Sequence, residues 1–347
     1  MAHFSFFLIR LKLSNDKLIL IIYTIGFDVM KKYAIIDGHT DVLYALPQQM
    51  RKFYQESERG HVDLPRIKKG NVSAMFFAIY PGVNQYYILK GARELLELVQ
   101  EPKNELMIIK KASDVDTAEK ENKICVIFHI EGVGGFDTEF HILNLLYRLG
   151  LRSFGITWSD TNIFGSGSSF MPGAPEETRG ITGEGKELIQ EANKLGVIVD
   201  VSHLSDKSFW DVLEVTKKPI IASHSCCRAI SPHVRNLTDE MLKALADNGG
   251  VMGINFANAF LREDCGREAD TPYTKIIDHI DHVVKVVGPD HVGFGSDFDG
   301  TGVPDEVKDV TGFNKLVKEL ESRKYSEEDI NKICHGNFQR IFEKVWK

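Results

Sequence analysis

The segment IIDGHTDVLY, residues 35–44, places acidic and imidazole side chains at alternating positions of an otherwise apolar run. Side chains two residues apart in an extended chain lie on the same face, so His39 and Asp41 present an imidazole and a carboxylate together. These two groups bind zinc and similar divalent cations. The pair alone is a weak signal, and it indicates a metal site only where further ligands of the same kinds converge.

Polar residues also stand at the carboxyl ends of later apolar runs: Glu131, Trp158, His203, His224, Asn255, Asp297 and Asp299. A buried acid or imidazole without a partner is unfavourable, and one shared cation would satisfy several of them. The set contains no cysteine, which favours a catalytic over a structural metal site. Three histidines with two acids exceed the needs of one tetrahedral ion, so we expect two cations about 3.5–4 Å apart, bridged by a carboxylate.

The remaining histidines and the cysteine pair have simpler interpretations. His129 shares the strand parity of Glu131, and we expect it to form a hydrogen bond inside the fold without binding metal. Adjacent cysteines point in opposing directions, so Cys226 and Cys227 are expected to pack rather than to bind an ion. Six further histidines lie in loop or helix patterns and are expected to be solvated: His61, His233, His279, His282, His291 and His335.

About eight short apolar runs alternate with amphipathic stretches, and these runs must position the polar residues. The runs lie at residues 33–37, 72–80, 124–132, 151–158, 197–203, 219–225, 249–256 and 291–300. Their near-continuous hydrophobicity is typical of parallel strands buried on both faces. The alternation predicts a (β/α)8 barrel, a TIM barrel, with a doubly wound open sheet as the alternative. The long segments 161–185 and 48–64 are predicted to form walls of a pocket.

Composition excludes several classes of protein. The chain has 347 residues, of which 43% are hydrophobic and 26% charged, as in ordinary globular proteins. The formal net charge is −7, and no basic stripe with interleaved aromatic residues indicates nucleic-acid binding. Five cysteines without metal-like spacing argue against a disulfide framework, and they favour a reducing, cytoplasmic compartment.

The first 29 residues form an N-terminal extension of unclear role. Their apolar run KLILIIYTIGF is shorter than the roughly 20 residues that span a bilayer, and no small-residue cleavage site follows it. We therefore expect no firm membrane attachment. Met30 is interpreted as the natural start, and residues 30–347 as a single domain.

In its motifs the sequence resembles the membrane dipeptidase family, also called renal dipeptidase, of the metallo-dependent hydrolase superfamily. The resemblance extends from Tyr33 to the C-terminus. The motifs are DGHTD, HIEG, VIVDVSHLS, IIASHS, SPHVRNLTDEMLKALADNGGVMGINF and HVGFGSDFDG. The resemblance implies a barrel of the metallo-dependent hydrolase type that uses two zinc ions to cleave dipeptides, including those that end in a D-residue.

The resemblance also implies roles for individual residues. One zinc ion would be bound by His39, Asp41 and Glu131, and the other by Glu131, His203 and His224. Arg235 matches the arginine that holds the C-terminal carboxylate of the substrate, a task suited to a guanidinium fork. Asp297 matches the acid that moves the proton during cleavage.

One position departs from the animal-type pattern. Those relatives carry a histidine that contacts the substrate and the developing oxyanion, whereas here the segment GITWSDTN has Trp158 in that register. Asn162 or the metal would then stabilise the oxyanion, and Trp158 would form part of the pocket wall.

Two other functions are compatible with the same ligands. The chain could hydrolyse another small amide, such as an N-acyl amino acid, or it could be a catalytically silent metal-binding protein. Retention of the ligands together with Asp297 favours an enzyme. Relatives are commonly dimeric, so the resemblance also implies a homodimer.

Overall fold

The computed structural model describes residues 7–14, 17–24, 33–171 and 177–347, and contacts divide the chain into units 1–33 and 34–347. In the first unit, strands β1 (Phe7–Ser14) and β2 (Lys17–Thr24) pair as an antiparallel hairpin. Met30, the expected natural start, lies outside the described residues. The assignment of residues 1–29 and 30–347 as extension and domain therefore stays a prediction.

The second unit is built on a closed parallel sheet. Its strands are β3 (Ile35–Thr40), β4 (Val72–Ile79), β5 (Leu106–Ile108), β6 (Ile124–Glu131), β7 (Leu151–Gly155), β8 (Ile198–Asp200), β9 (Ile221–Ser225), β10 (Val251–Ile254) and β11 (Val292–Phe294). Within the described residues, the eight strands other than β5 form a ring, closed by the pairing of β4 with β6 and of β11 with β3. The predicted (β/α)8 barrel is thus confirmed, and the open sheet is excluded.

Helices follow the strands and surround the barrel. They are α1 (Val42–Gln48), α2 (Leu64–Gly70), α3 (Gln85–Gln100), α4 (Asp114–Lys120), α5 (His141–Leu149), α6 (Gly183–Leu195), α7 (Asp206–Val215), α8 (Asp239–Asp247), α9 (Asn258–Leu261), α10 (Thr274–Val287), α11 (Phe313–Ser322), α12 (Glu327–Asn331) and α13 (Asn337–Val345). Several begin at a side-chain cap, as where Thr182 accepts from the Gly185 amide and Thr238 from the Met241 amide. The described part of the chain has no helix long and apolar enough to cross a membrane.

The last helix closes one end of the barrel. Phe338, Phe342 and Trp346 belong to one buried cluster with residues at the beginnings of the strands, including Ile36 and Val251. The rings of Phe342 and Trp346 stack with their centroids 4.1 Å apart. Because this end is filled by apolar side chains, the open end of the barrel lies where the strands finish, and the polar residues of the sequence stand there.

The expectation that six histidines are solvated was wrong. His233 and His279 are buried, and the other four are half-buried. His279 lies on the inner face of α10, where Nδ1 accepts a hydrogen bond from the Cys227 amide at 3.0 Å and Nε2 lies 3.3 Å from the Leu261 carbonyl. Helical periodicity gave too little information, because backbone groups of distant loops complete these contacts.

His279 should make stability depend on pH. Burial lowers its pKa from 6.5 to about 4, so between these values the unfolded state binds the additional proton and stability falls as the pH falls. The loss should reach up to about 3 kcal/mol at roughly 1.4 kcal/mol per pKa unit. Urea unfolding of the wild type and of His279→Asn measures it: the wild-type advantage should shrink from pH 7 to pH 4. An advantage that is constant over this range would contradict the assignment.

Candidate active site

The predicted ligands all lie at the carboxyl ends of barrel strands. His39 and His224 are within β3 and β9, Glu131 is the last residue of β6, and Asp41 directly follows β3. His203 and Asp297 stand three residues beyond β8 and β11, with positive φ angles of 70° and 61° that turn the chain at the barrel mouth. All six side chains are buried or nearly so. The fold therefore brings together residues that are spread over more than 250 positions of the sequence.

Glu131 is at the centre of the cluster. Its Oε1 atom lies 2.8 Å from Nε2 of His203, 3.5 Å from Nε2 of His224 and 3.8 Å from Nε2 of His39. The same His39 nitrogen is 3.7 Å from Oδ2 of Asp41. Ligand atoms of His39, Asp41 and Asp297 also lie within 4.8 Å of one another, which extends the cluster beyond Glu131 on one side.

Unsatisfied atoms indicate that this cluster is suited to a cation. Both ring nitrogens of His39 and Oδ1 of Asp41 are buried and have no hydrogen-bond partner among the described residues. The Nε2 atoms of His203 and His224 lie 2.8 Å apart, within hydrogen-bonding distance of each other. Imidazole nitrogens and carboxylates that converge in this way, several of them without a partner, form a suitable binding site for a divalent metal ion.

The pKa shifts within the cluster also favour a bound cation. Burial disfavours a charged His39, but the carboxylates of Glu131 and Asp41 raise its pKa to about 10. Burial raises the pKa of Glu131 well above its ordinary value and that of Asp297 to about 7. Burial and nearby cationic side chains lower the pKa of His203 and of His224. The acids thus need a positive charge close by, and two imidazoles are neutral, as metal ligands must be.

Hydrogen bonds beneath the cluster orient two of the imidazoles. Nδ1 of His224 lies 2.8 Å from the Ser223 hydroxyl, which donates to Asp200. Nδ1 of His203 lies 3.1 Å from the Ser159 hydroxyl. Each Nε2 therefore faces Glu131, an arrangement typical of metal-binding histidines. These supporting residues were not predicted from the sequence. The only signal for them was the polar residues within VIVDVSH, IIASHS and GITWSDTN.

His129 and Asn255 support the site without joining the cluster. The ring of His129 is completely buried, and its Nδ1 lies 3.0 Å from the Ser153 hydroxyl. This confirms the expected hydrogen bond inside the fold. The amide of Asn255 donates to Oδ2 of Asp297 at 3.0 Å and so orients the acid.

A cavity of about 470 Å³ opens above the cluster, and Asp41, Glu131, His203 and Asp297 form part of its lining. Its walls include five aromatic rings: Tyr44, Tyr80, Trp158, Phe170 and Phe260. Trp158 lies between Tyr80 and Phe170, with centroid distances of 5.5 and 4.8 Å, and its ring is 5.9 Å from that of His203. The structure thus places Trp158 in the wall beside a metal ligand.

Of the two long segments predicted to form pocket walls, 161–185 contributes to the lining of this cavity, whereas no residue of 48–64 does. Phe170, from segment 161–185, is part of the wall; residues 172–176 of that segment lie outside the described residues. In segment 48–64, Arg51 forms a salt bridge of 2.7 Å with Asp299, and the amide of His61 donates to the same carboxylate at 2.6 Å. Asp299 lines the cavity, so this segment fixes the loop that carries Asp297.

The loop after β11 requires a glycine at position 300, because two carboxylates lie close to its backbone. A Cβ atom on Gly300 would lie 1.9 Å from Oδ2 of Asp41 and 2.6 Å from Oδ1 of Asp297. Both carboxylates would have to move to accept any side chain there. The final glycine of the motif GSDFDG therefore serves the packing of the acids.

Arg235 and Asn162 were both predicted from the sequence to act on the substrate, and their surroundings in the structure differ. Arg235 is buried behind the cavity wall: its guanidinium carbon lies 5.4 Å from the centroid of the Phe260 ring, and its Nε has no hydrogen-bond partner among the described residues. Burial lowers its pKa to about 10, while Asp297 and Glu131 oppose the shift. Asn162 instead holds its own turn, because its amide bonds the Ile156 carbonyl and the Phe164 and Gly165 amides. Neither Asn162 nor Arg235 is part of the cavity lining.

Fold and site together define a metal-dependent hydrolase of the (β/α)8 barrel class. The family model described as membrane dipeptidase (peptidase family M19) matches residues 27–347. The chain belongs to this family and is a metallodipeptidase, which confirms the resemblance recognised in the motifs.

Individual relatives and solved structures are consistent with this family assignment. The chain is 33% identical to an uncharacterised dipeptidase of Schizosaccharomyces pombe, over 92% of this chain and 82% of that protein. The crystal structure of a family M19 metallopeptidase, dipeptidase AC, matches with a TM-score of 0.86 at 34% identity, over 91% of this chain and 99% of the other. A metallopeptidase of Rhodobacter sphaeroides, bound to a phosphinate mimic of L-Ala-D-Ala, matches with a TM-score of 0.85 at 33% identity, over 90% and 99% of the two chains.

Divalent cations should stabilise the folded chain. At a free zinc concentration about 100 times the Kd, binding adds roughly 2.7 kcal/mol, which should raise the Tm by about 5 °C. Thermal unfolding of chelated protein with and without zinc measures the shift, and metal analysis gives the ions per chain.

The variant His39→Ala should lose most of this shift. His282→Ala, which removes a half-buried histidine of α10 that lies 2.7 Å from Asp239, should keep it. A Tm that is unchanged by zinc, manganese and cobalt would contradict the metal site.

Proposed function

We propose that the chain is a zinc-dependent dipeptidase with a binuclear site, and that its substrates include dipeptides ending in a D-residue. The observation that carries the proposal is the single oxygen of Glu131 facing three imidazole nitrogens. The relative bound to a mimic of L-Ala-D-Ala supports the D-residue. The cavity volume of about 470 Å³ is compatible with a dipeptide.

Under this proposal Glu131 would be a ligand of both ions. His39 and Asp41 would complete one site, and His203 and His224 would complete the other. Divalent cations bound there would supply Lewis acidity, which lowers the pKa of a bound water to about 7 and polarises a carbonyl. The carboxylates of Asp41 and Glu131 offset the positive charge, and the hydrogen bonds to Ser159 and Ser223 keep the two histidines oriented.

Asp297 is proposed to move the proton. Burial raises its pKa to about 7, so its carboxyl can both accept and release a proton near neutral pH. It would take a proton from the attacking water and deliver it to the amine nitrogen as the C–N bond breaks. The hydroxyl of the water remains on the carbonyl carbon, which becomes the new carboxylate. Asn255, bonded to Oδ2, would hold the acid in place.

Arg235 is proposed to hold the C-terminal carboxylate of the substrate. It is a buried guanidinium whose hydrogen bonds, to Ser225 at 3.5 Å and to the His224 carbonyl at 3.3 Å, are long, so stronger acceptors are still available to it. An anchor one residue beyond the cleaved bond selects dipeptides, because a longer peptide has no carboxylate there. Trp158 is proposed as a wall of this pocket, and Asn162, used within its own turn, is not retained as a substrate contact.

The role of Arg235 is tested with substrates that differ in length and in their C-terminal group. The values of kcat/KM for L-Ala-L-Ala and L-Ala-D-Ala should exceed those for tri-alanine and for alanyl-alanine amide by about 100-fold, as expected when a buried guanidinium loses its carboxylate. Arg235→Met should remove most of this difference. Equal turnover of the amide and the dipeptides would instead favour hydrolysis of a wider range of small amides.

The proton-transfer role of Asp297 is tested by Asp297→Asn. The value of kcat should fall by about 10²–10⁴-fold, the usual contribution of a positioned acid–base group. Zinc content should be unchanged, because the five proposed ligands remain. Asp290→Asn, which changes an exposed acid outside the cavity, is the control. Full activity in Asp297→Asn, or loss of its zinc, would contradict the role.

We also propose a reducing, cytoplasmic compartment for this activity. All five cysteines fall within the described residues and are free thiols, and four of them are buried. The homodimer implied by the resemblance stays a prediction.

A further inference from the structure

The cavity wall contains a cationic side chain to which neither the motifs nor the proposed mechanism assigns a role. Arg267 lies in the segment between α9 and α10 and lines the cavity together with Phe260 and Asp297. Its side chain is exposed and forms no ion pair with the described residues, whereas Arg262 of the same segment pairs with Asp264 at 2.8 Å. Arg267 is therefore part of the cavity lining and has no acidic partner among the described residues.

The position of Arg267 relative to Arg235 follows from the residues between them. Burial and the positive charges of Arg235 and Arg267 lower the pKa of His233 to about 4. The ring of His233 lies 4.7 Å from that of Phe260, over which Arg235 is placed. Arg235 thus packs on Phe260, and Arg267 lines the same cavity as Phe260. The proposed function assigns this part of the cavity to the C-terminal residue of the substrate.

The other charged groups of the lining do not neutralise Arg267. Asp41, Glu131 and Asp297 belong to the cluster that binds cations, and Asp299 is paired with Arg51. The remaining lining residues of this region are aromatic or small and uncharged, among them Phe170, Ala259 and Thr301. A carboxylate supplied by the substrate is the natural partner for such a guanidinium, because the planar fork can donate two parallel hydrogen bonds to it.

We propose that Arg267 determines specificity for an acidic side chain on the C-terminal residue, so that preferred substrates are dipeptides ending in Asp or Glu. The inference rests on the proposed function, in which Arg235 holds the α-carboxylate of that same residue. Arg267 then receives the side-chain carboxylate. The N-terminal residue lies on the other side of the scissile bond, away from both arginines.

Matched pairs of substrates test the proposal on the zinc-loaded enzyme. The values of kcat/KM are measured for L-Ala-Asp against L-Ala-Asn and for L-Ala-Glu against L-Ala-Gln, with the second residue in both the L and the D configuration. Each pair differs in charge and hardly in size. The wild type should prefer at least one acid over its amide by about tenfold, equivalent to about 1.4 kcal/mol. Higher salt should weaken the preference, because Arg267 is exposed to solvent.

Variants locate the source of the preference. Arg267→Ala should bring the acid-to-amide ratio close to one, and Arg267→Lys should retain part of it. Arg267→Glu should reverse the charge preference, so that L-Ala-Lys gains relative to L-Ala-Gln. Arg148→Ala, which removes an exposed arginine at the end of α5, should leave the ratio as in the wild type.

The outcomes separate the inference from the proposed function. A wild-type ratio near one, with good turnover of Asn- and Gln-ending dipeptides, would overturn the role of Arg267 and leave the dipeptidase standing. A preference that survives in Arg267→Ala and Arg267→Glu would also overturn it. Absence of turnover for every dipeptide, amide-ending ones included, would overturn the proposed function itself.

Discussion

The site depends on one constraint: the barrel holds Oε1 of Glu131 within 3.8 Å of imidazole nitrogens from three different strand ends. Three imidazole nitrogens and several carboxylates are buried together here without a full set of hydrogen-bond partners, which is unfavourable unless positive charge is added. Both ring nitrogens of His39 lack a partner among the described residues, and burial raises the pKa of Glu131. A divalent cation removes both penalties, and for this reason metal binding and the stability of the barrel mouth should be coupled.

A second set of buried hydrogen bonds, beneath the ligands, holds the strands that carry them in place. Asp200 accepts hydrogen bonds from the Ser223 hydroxyl and amide, and Asp37 accepts from the hydroxyl and amide of Ser296. These buried acids link β8 to β9 and β3 to the end of β11, the strands that carry ligands. Networks whose members are satisfied rigidify a core, so the ligands need little rearrangement to bind an ion.

Chemistry and specificity are assigned to different parts of the chain. The strands position the ligands and Asp297, while α13 fills the opposite end of the barrel with apolar side chains. The loops after the strands supply the aromatic walls and Arg267. Substitutions in those loops can change which dipeptide is accepted without moving the cluster, as is usual in this architecture.

The barrel, the family and the residues that converge at the barrel mouth could all be predicted from the amino-acid sequence. This is possible because the periodicity of hydrophobic residues and the type of each residue are local properties. Buried parallel strands are apolar throughout. Histidines and acids that recur at the ends of several such strands are favourable only when they share a partner such as a metal ion. How these residues are supported became visible in the three-dimensional structure alone. The partners of Asp299 and His279 come from segments far apart in the chain, and the burial of His233 and Arg235 also depends on tertiary packing. Local patterns carry no information about such contacts, so the short strand β5 and these pairings had to be seen in three dimensions.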